Sequence, residues 1–151
     1  MTVAAADAVV RALRAAHQHD AGRQELLQLA CMRIHGWGAP YTSVYAYMLQ
    51  QQELVLEAFT GRATDHTRIP VGTGVCGTAV ATGLDQNVPD VTAVGNYIAC
   101  NLFTKSELVV LIRRGPTILG QIDVDSDVPA GFGDKEHADV KAVADALAVL
   151  L

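Results

Sequence analysis

The chain has 151 residues, of which 50% are hydrophobic and 18% are charged, and its formal net charge is −5. This length suits one domain with a single core, and the mild acidity argues against nucleic acid or an anionic membrane as a partner. Because the apolar segment 3–16 contains Asp7, Arg11 and Arg14, it indicates an amphipathic helix and not a signal peptide. A cytoplasmic location is therefore the default expectation.

Helical periodicity dominates the first part of the chain. Apolar side chains recur at helical spacing over 3–18 and 21–34, and a polar segment separates the two predicted helices. From residue 42 the pattern changes to strict alternation, which places two sets of side chains on opposite faces of a strand: Val44, Ala46 and Met48, against Tyr45, Tyr47 and Leu49. The polar residues 50–53 then form a turn, so residues 42–59 predict a β-hairpin.

Glycines divide the middle of the chain. Gly72 and Gly74 suit a tight turn, and residues 75–82 predict two turns of helix that Gly83 ends. A short strand is expected around 86–88, followed by a loop over 89–103. Two β-branched, apolar strands are predicted at 106–113 and 117–125, with a turn between them, and a final helix begins at 133 or 134.

Strands linked by hairpins, with helices at both chain ends, predict an α+β fold. We expect one domain over residues 1–151, with helices in 1–36 and the sheet, pocket loops and last helix in 42–151. The sheet should be antiparallel, and the N- and C-terminal helices should pack on one of its faces. The apolar run at 144–151 would be exposed unless something covers it, so a homodimer through the terminal helices is also expected.

The three cysteines, Cys31, Cys76 and Cys100, lack the spacing of a disulfide framework or of paired zinc ligands. The five histidines show no metal-ligand spacing either, so the sequence predicts no metal site. Cys31 lies on the apolar side of the second helix and is predicted to be a core residue. Cys76 opens the short helix, where amide donors would lower the pKa of a thiol, although a small packed residue is the commoner role in a glycine-rich turn.

Cys100 and three acidic residues form the most informative group in the sequence. Cys100 precedes a strand in a predicted loop, where a ligand can reach a thiol, although free cysteines often pack as small hydrophobic residues. Glu107 begins an otherwise apolar strand, and Asp123 and Asp125 share a face at the end of another. If these acids meet, burial and repulsion should raise at least one pKa and leave an acid that can donate a proton.

A blander interpretation of the acids stays open. They could cap loops or meet solvent at strand ends, above all in the turn-like segment 125–127. His66 belongs to a predicted loop, and we expect no role for it beyond contact at the rim of a site.

Five segments, in this order, resemble the GAF domain and, within it, the free methionine-(R)-sulfoxide reductases. They are R-I-P-V-G-T-G-V-C-G-T-A-V-A (68–81), P-D-V (89–91), Y-I-A-C (97–100), S-E-L-V-V (106–110) and L-G-Q-I-D-V-D-S (119–126). The resemblance implies that Cys100 is the catalytic thiol, which attacks the sulfoxide sulfur and becomes a sulfenic acid. It also assigns ligand binding and polarisation of the sulfoxide oxygen to three acids, Glu107, Asp123 and Asp125.

The same resemblance places Tyr47 in the pocket wall and includes Ile98 and Ala99 among the ligand-binding residues. The chain departs from the family pattern at 63–67, where A-T-D-H-T holds no thiol at the place of the usual resolving cysteine, and Ser43 replaces a pocket tryptophan. Asn101 also replaces an acid that often follows the catalytic cysteine.

These departures leave two functions open. In a reductase, Cys76 or an external thiol, thioredoxin-like or small, would have to regenerate Cys100, and no bound cofactor is expected. The ligand would be free methionine-(R)-sulfoxide or a similar small zwitterion. The alternative is a non-catalytic, sensory GAF domain that kept the pocket and lost the redox cycle.

Overall fold

The fold is described from a computed structural model that covers residues 3–95 and 102–151, with side chains from residue 5 onward. Within these residues, four helices and six strands follow one another: α1 (Val3–Gln18), α2 (Arg23–His35), β1 (Ser43–Gln50), β2 (Glu53–Thr60), β3 (Arg68–Pro70), α3 (Gly74–Thr82), β4 (Gln86–Val88), β5 (Ser106–Arg114), β6 (Thr117–Ser126) and α4 (Asp134–Leu150). A single 3₁₀ turn, Val91–Ala93, lies inside the segment predicted as a loop.

All six strands belong to one sheet in the order β3-β2-β1-β6-β5-β4, and every neighbouring pair is antiparallel. The predicted α+β architecture is therefore confirmed. The first and last helices pack against each other, and α2 and α4 cover one face of the sheet. The short helix α3 packs on the opposite face, against β5 and β6.

The alternation predicted for β1 separates two hydrophobic cores. Val44, Ala46 and Met48 belong to the larger core beneath α1, α2 and α4. Tyr45 and Tyr47 belong to the smaller core beneath α3. Because successive side chains of a strand point to opposite faces, a single strand contributes to both cores.

The apolar end of α4 is covered by the chain itself. Ala144 and Leu147 are fully buried in the larger core, and only Val149 is strongly exposed, at 80%. This run therefore does not need a second protomer to cover it. No helix in the described residues has both the length and the apolar character to cross a membrane.

Two strand boundaries differ from the sequence-based expectation. Residues 68–70 form a short edge strand, β3, whose Ile69 pairs with Leu54 of β2. An edge position tolerates Pro70, which cannot donate a ladder hydrogen bond. In addition, β6 continues through Ser126, one residue beyond the predicted strand of 117–125, so the alternative interpretation of 125–127 as a turn was wrong for its first two positions.

The glycine-rich segment before α3 packs against its own backbone. Gly74 has φ +66° and Gly83, which ends the helix, has φ +71°, so both lie in the left-handed region that favours glycine. A Cβ at Gly77 would lie 2.6 Å from the carbonyl oxygen of Pro70. This close approach brings the start of α3 down onto the end of β3.

Candidate functional site

Three acids come together on the face of the sheet beneath α3. Glu107 of β5 pairs in register with Asp125 of β6, and Asp123 pairs with Val109. None of the three residues is more than 4% exposed, and Val124 between the two aspartates belongs to the other core. The prediction that Asp123 and Asp125 share a face is confirmed, and the interpretation that these acids meet solvent is wrong.

Cys76, in the first turn of α3, completes this cluster. Its Sγ lies 3.9 Å from Oε2 of Glu107, and Asp123 shares hydrogen bonds with both of these side chains. One ligand-type atom from each of Cys76, Glu107 and Asp123 lies within 4.8 Å of the others. Three protonatable groups in such close contact cannot all carry charge, so they share protons.

Burial and charge set the protonation of this cluster. Burial raises the pKa of Asp123, although hydrogen bonds from Glu107 and Cys76 partly offset the shift. The expectation that at least one acid would have a raised pKa therefore agrees with the structure. Such an acid keeps a proton that it can donate to a bound oxygen.

The pKa of Cys76 changes in the direction opposite to the one expected from its place at a helix start. Burial raises this pKa well above its usual value, and the negative charges of Asp123, Glu107 and Asp125 raise it further. Amide donors at the first turn are outweighed because desolvation and three nearby carboxyl groups all disfavour the thiolate. Cys76 is therefore a protonated thiol in the resting protein.

A small cavity opens beside the cluster. Cys76, Glu107 and Asp123 line it together with His66, Ile69 and Thr73, and its volume is about 20 Å³. That space holds about one water molecule, so it fits one polar atom of a ligand and not a whole amino acid. Among the described residues that line it there is no lysine or arginine.

Two tyrosines of β1 hold the loop that follows β2 against this site. The Tyr47 hydroxyl donates to the His66 carbonyl at 2.7 Å, and the Tyr45 hydroxyl donates to the Arg62 carbonyl at the same distance. Both rings are fully buried. Tyr47 thus supports the wall of the pocket through the backbone of His66.

An ion pair fixes the other end of the same loop. Both terminal nitrogens of Arg62 donate to the Asp127 carboxylate, just beyond β6, and the guanidinium lies 5.1 Å from the centre of the Phe103 ring. Arg62 therefore connects the loop after β2 to both chain segments that flank the acids.

Other predicted residues have different outcomes. Cys100, Ile98 and Ala99 lie outside the described residues, so their assigned roles stay predictions. Cys31 is buried in the larger core, as predicted, and burial raises its pKa to about 12. The sequence did not single out Gln121, which is buried two residues before Asp123 on the same face of β6; a two-residue period extended back along β6 would have found it.

Comparison with known proteins agrees with this architecture. The sequence model of the GAF domain matches residues 5–151. A free methionine-R-sulfoxide reductase of Escherichia coli (strain K12) is 41% identical over 91 residues, which cover 60% of this chain and 54% of that protein. The chain spans about half the length of the curated relatives it matches.

Solved structures with the same fold cover nearly the whole chain. The type II free methionine-R-sulfoxide reductase from Thermoplasma acidophilum has a TM-score of 0.82 and 37% identity, over 85% of this chain and 91% of that one. The free methionine-R-sulfoxide reductase from Neisseria meningitidis, solved in complex with its substrate, has a TM-score of 0.87 and 27% identity, over 99% and 91%. Together with the match over residues 5–151, these similarities show that the chain belongs to the GAF domain family.

Proposed function

We propose that this protein reduces free methionine-(R)-sulfoxide to methionine. The observation that carries the proposal is the buried cluster of Glu107, Asp123 and Asp125, in which burial raises the pKa of Asp123 and so favours a protonated carboxyl group beside a cavity that fits one polar atom. The similarity to proteins named as free methionine-R-sulfoxide reductases supports it. The cavity beside the cluster suits the sulfoxide oxygen, the one polar atom that the chemistry must protonate.

In the first step, a protonated acid of the cluster would donate to the sulfoxide oxygen while the Cys100 sulfur attacks the substrate sulfur. The oxygen leaves the substrate sulfur for the Cys100 sulfur, so methionine is released and the thiol becomes a sulfenic acid. The sulfoxide is reduced by two electrons and Cys100 is oxidised by two. An ionised acid of the same cluster would hold the ammonium group of the free amino acid.

In the second step, a thiol must reduce the sulfenic acid. If Cys76 attacks, the Cys76–Cys100 disulfide forms and water leaves with the sulfenic oxygen. The Cys76 thiol must first lose its proton, and Glu107, 3.9 Å away, is placed to accept it. An external thiol, thioredoxin-like or small, would then reduce the disulfide, or would reduce the sulfenic acid directly if Cys76 does not take part.

A turnover assay tests the proposal. Purified protein is incubated with the R or the S epimer of free methionine sulfoxide and dithiothreitol, and methionine is quantified. We expect turnover of the R epimer, its loss in Cys100→Ser, and normal turnover in the control Cys31→Ser, which removes a thiol from the other core. Absence of methionine, or full activity in Cys100→Ser, would refute the proposal.

The second candidate is a sensory GAF domain that binds a small zwitterion without turnover. Two observations favour it: the segment 63–67 holds no thiol, and Cys76 rests as a protonated thiol. This candidate predicts that amino acids or cyclic nucleotides raise the melting temperature while no product forms. A screen of such ligands that shows no stabilisation would count against it.

The setting of the reaction is also part of the proposal. Free thiols persist in a reducing compartment, so we place the protein in the cytoplasm. A homodimer also remains a proposal. Because the apolar end of α4 is covered within the chain, that surface does not support a dimer, and the mass in solution has to be measured.

A further inference from the structure

We propose that Cys76, Glu107 and Asp123 form a binding site for a thiophilic divalent cation, Zn²⁺ in particular. These residues come from α3, β5 and β6, and one potential ligand atom from each lies within 4.8 Å of the other two. Because the ligands are spread over three elements, sequence spacing gives no sign of such a site. The fold alone brings them together.

The geometry of the three groups is close to that of a zinc site. Zn–S bonds of about 2.3 Å and Zn–O bonds of about 2.1 Å put tetrahedral ligand atoms about 3.6 Å apart. The sulfur of Cys76 and Oε2 of Glu107 are 3.9 Å apart, so small side-chain rotations suffice. The cavity of about 20 Å³ beside them has room for a water molecule as the fourth ligand.

The donor set selects the class of ion. One thiolate with two carboxylates suits a borderline-soft cation such as Zn²⁺, whereas Mg²⁺ and Ca²⁺ prefer oxygen-only shells of six or more ligands. A divalent charge would also offset the negative charge that builds up when the thiol and the two acids are ionised together.

A second observation points to a missing partner at this place. Asp123 lines the cavity and is only 1% exposed, and its Oδ1 is buried without a hydrogen-bond partner among the described residues. A buried carboxylate oxygen without a partner is costly and therefore needs an explanation. A cation in the cavity would provide the absent interaction. The competing explanation is that the three groups are satisfied by shared protons alone, and the experiment below distinguishes the two.

Metal binding would affect the chemistry of the site. A sulfur that ligates Zn²⁺ cannot attack a sulfenic acid, so the ion would reversibly prevent Cys76 from resolving Cys100. This consequence rests on the proposed reductase function. The binding itself does not, since it requires only the three side chains.

Cobalt serves as the probe, because a thiolate bound to Co²⁺ gives a charge-transfer absorption band that Zn²⁺ abolishes by displacement. The full chain, freed of metal and of added thiols, is titrated with Co²⁺ under anaerobic conditions, and Zn²⁺ is then added. We expect a saturable band in the wild type and in Cys31→Ser, where the other buried thiol is removed. The band should disappear in Cys76→Ser, and the affinity should fall more than about tenfold in Asp123→Asn.

Several outcomes would overturn the site. They are the absence of a band in the wild type, a band that survives Cys76→Ser, and a band that depends on Cys100 instead of Cys76. If Cys76→Ser does not fold, as judged by circular dichroism, the wild type provides the second readout: Zn²⁺ should protect Cys76 from alkylation in a peptide map, and unchanged labelling contradicts the site. No substrate is present in these measurements, so failure of the reductase assay and failure of metal binding are separate results.

Discussion

The Sγ of Cys76 lies 3.9 Å from Oε2 of Glu107, so the first turn of α3 contacts the beginning of β5. The thiol and the carboxyl group are both buried. Neither can ionise without increasing the cost of ionising the other. The negative charge of Glu107 therefore helps to raise the pKa of Cys76.

Asp123→Asn should stabilise the fold while it impairs the proposed reaction. Burial raises the pKa of Asp123 in the folded state, so the folded protein holds this proton to a higher pH than the unfolded chain does. Stability therefore falls as the pH rises from the unfolded value toward the raised folded value. Asparagine has no such dependence, and we expect a gain of about 1 kcal/mol in unfolding free energy at neutral pH.

Urea unfolding at several pH values measures this effect. The difference between Asp123→Asn and wild type should grow with rising pH and shrink under acid conditions. Asp65→Asn, at an exposed position in the loop after β2, serves as the control and should change little. A difference that is independent of pH, or a loss of stability at neutral pH, would contradict the raised pKa of the buried Asp123 carboxyl group.

The metal-free protein should show a slow, buried Cys76 in alkylation experiments. Because burial and neighbouring negative charge raise the pKa of this thiol, little thiolate exists at neutral pH, and the thiolate is the reactive form. Asp123→Asn removes one of the charges that raise the pKa, so alkylation should become several-fold faster. Peptide mass spectrometry with a chelator present assigns the label to each cysteine.

Cys31 provides the comparison for that experiment. It is as deeply buried as Cys76, but burial alone raises its pKa and no acidic group contributes to the shift. Its alkylation rate should therefore not respond to Asp123→Asn. Equal acceleration of both thiols would show that the variant loosens the fold instead of changing the local charge.

The sequence predicted most of the fold because its patterns are local. Alternation in β1 distinguished Ala46 from Tyr47, and the left-handed end of α3 was marked by Gly83. The sequence did not predict β3, because three residues that include a proline are too few to show the two-residue alternation of a strand. They form a strand only through their pairing with β2. Local pattern therefore finds long elements, and pairing determines short ones.

The site was predictable in part. The shared face of Asp123 and Asp125 follows from a two-residue period, and that inference holds. The pKa of Cys76 could not be predicted, because its direction depends on Glu107 and Asp123, which reach it only through the tertiary fold. The same reason explains why His66, expected at the rim, lines the cavity itself.

Gly77→Ala should destabilise the protein through a collision of backbone with side chain. A Cβ at this position would lie 2.6 Å from the Pro70 carbonyl oxygen and 2.9 Å from the Gly72 nitrogen, and neither backbone atom can rotate away. We expect a loss of about 1–3 kcal/mol in unfolding free energy. Gly95→Ala is the matched control, since a Cβ there meets no atom of the described residues within 4 Å. Similar stability of the two variants, measured by urea unfolding, would argue against the close packing of α3 on β3.

Glu57→Gln should reveal a pH-dependent contact between α2 and β2. The Arg23 guanidinium donates two hydrogen bonds of 2.9 Å to the Glu57 carboxylate, and these bonds, opposed in part by burial, lower the pKa of Glu57. A lowered folded pKa gives stability that is present above the unfolded value and is lost as the pH falls through the folded value. The partly exposed pair should contribute about 0.5 kcal/mol at neutral pH.

Thermal unfolding across a pH series checks this contribution. At neutral pH Glu57→Gln should be less stable than the wild type, and the two should converge under acid conditions, where the carboxylate of the wild type is protonated. Glu53→Gln is the control, because its partner Arg68 is 3.3 Å away and both side chains are well exposed, so salt and solvent screen that pair more strongly. If the deficit of Glu57→Gln persists unchanged in acid, the carboxylate charge is not its source, and the contact between α2 and β2 must depend on packing.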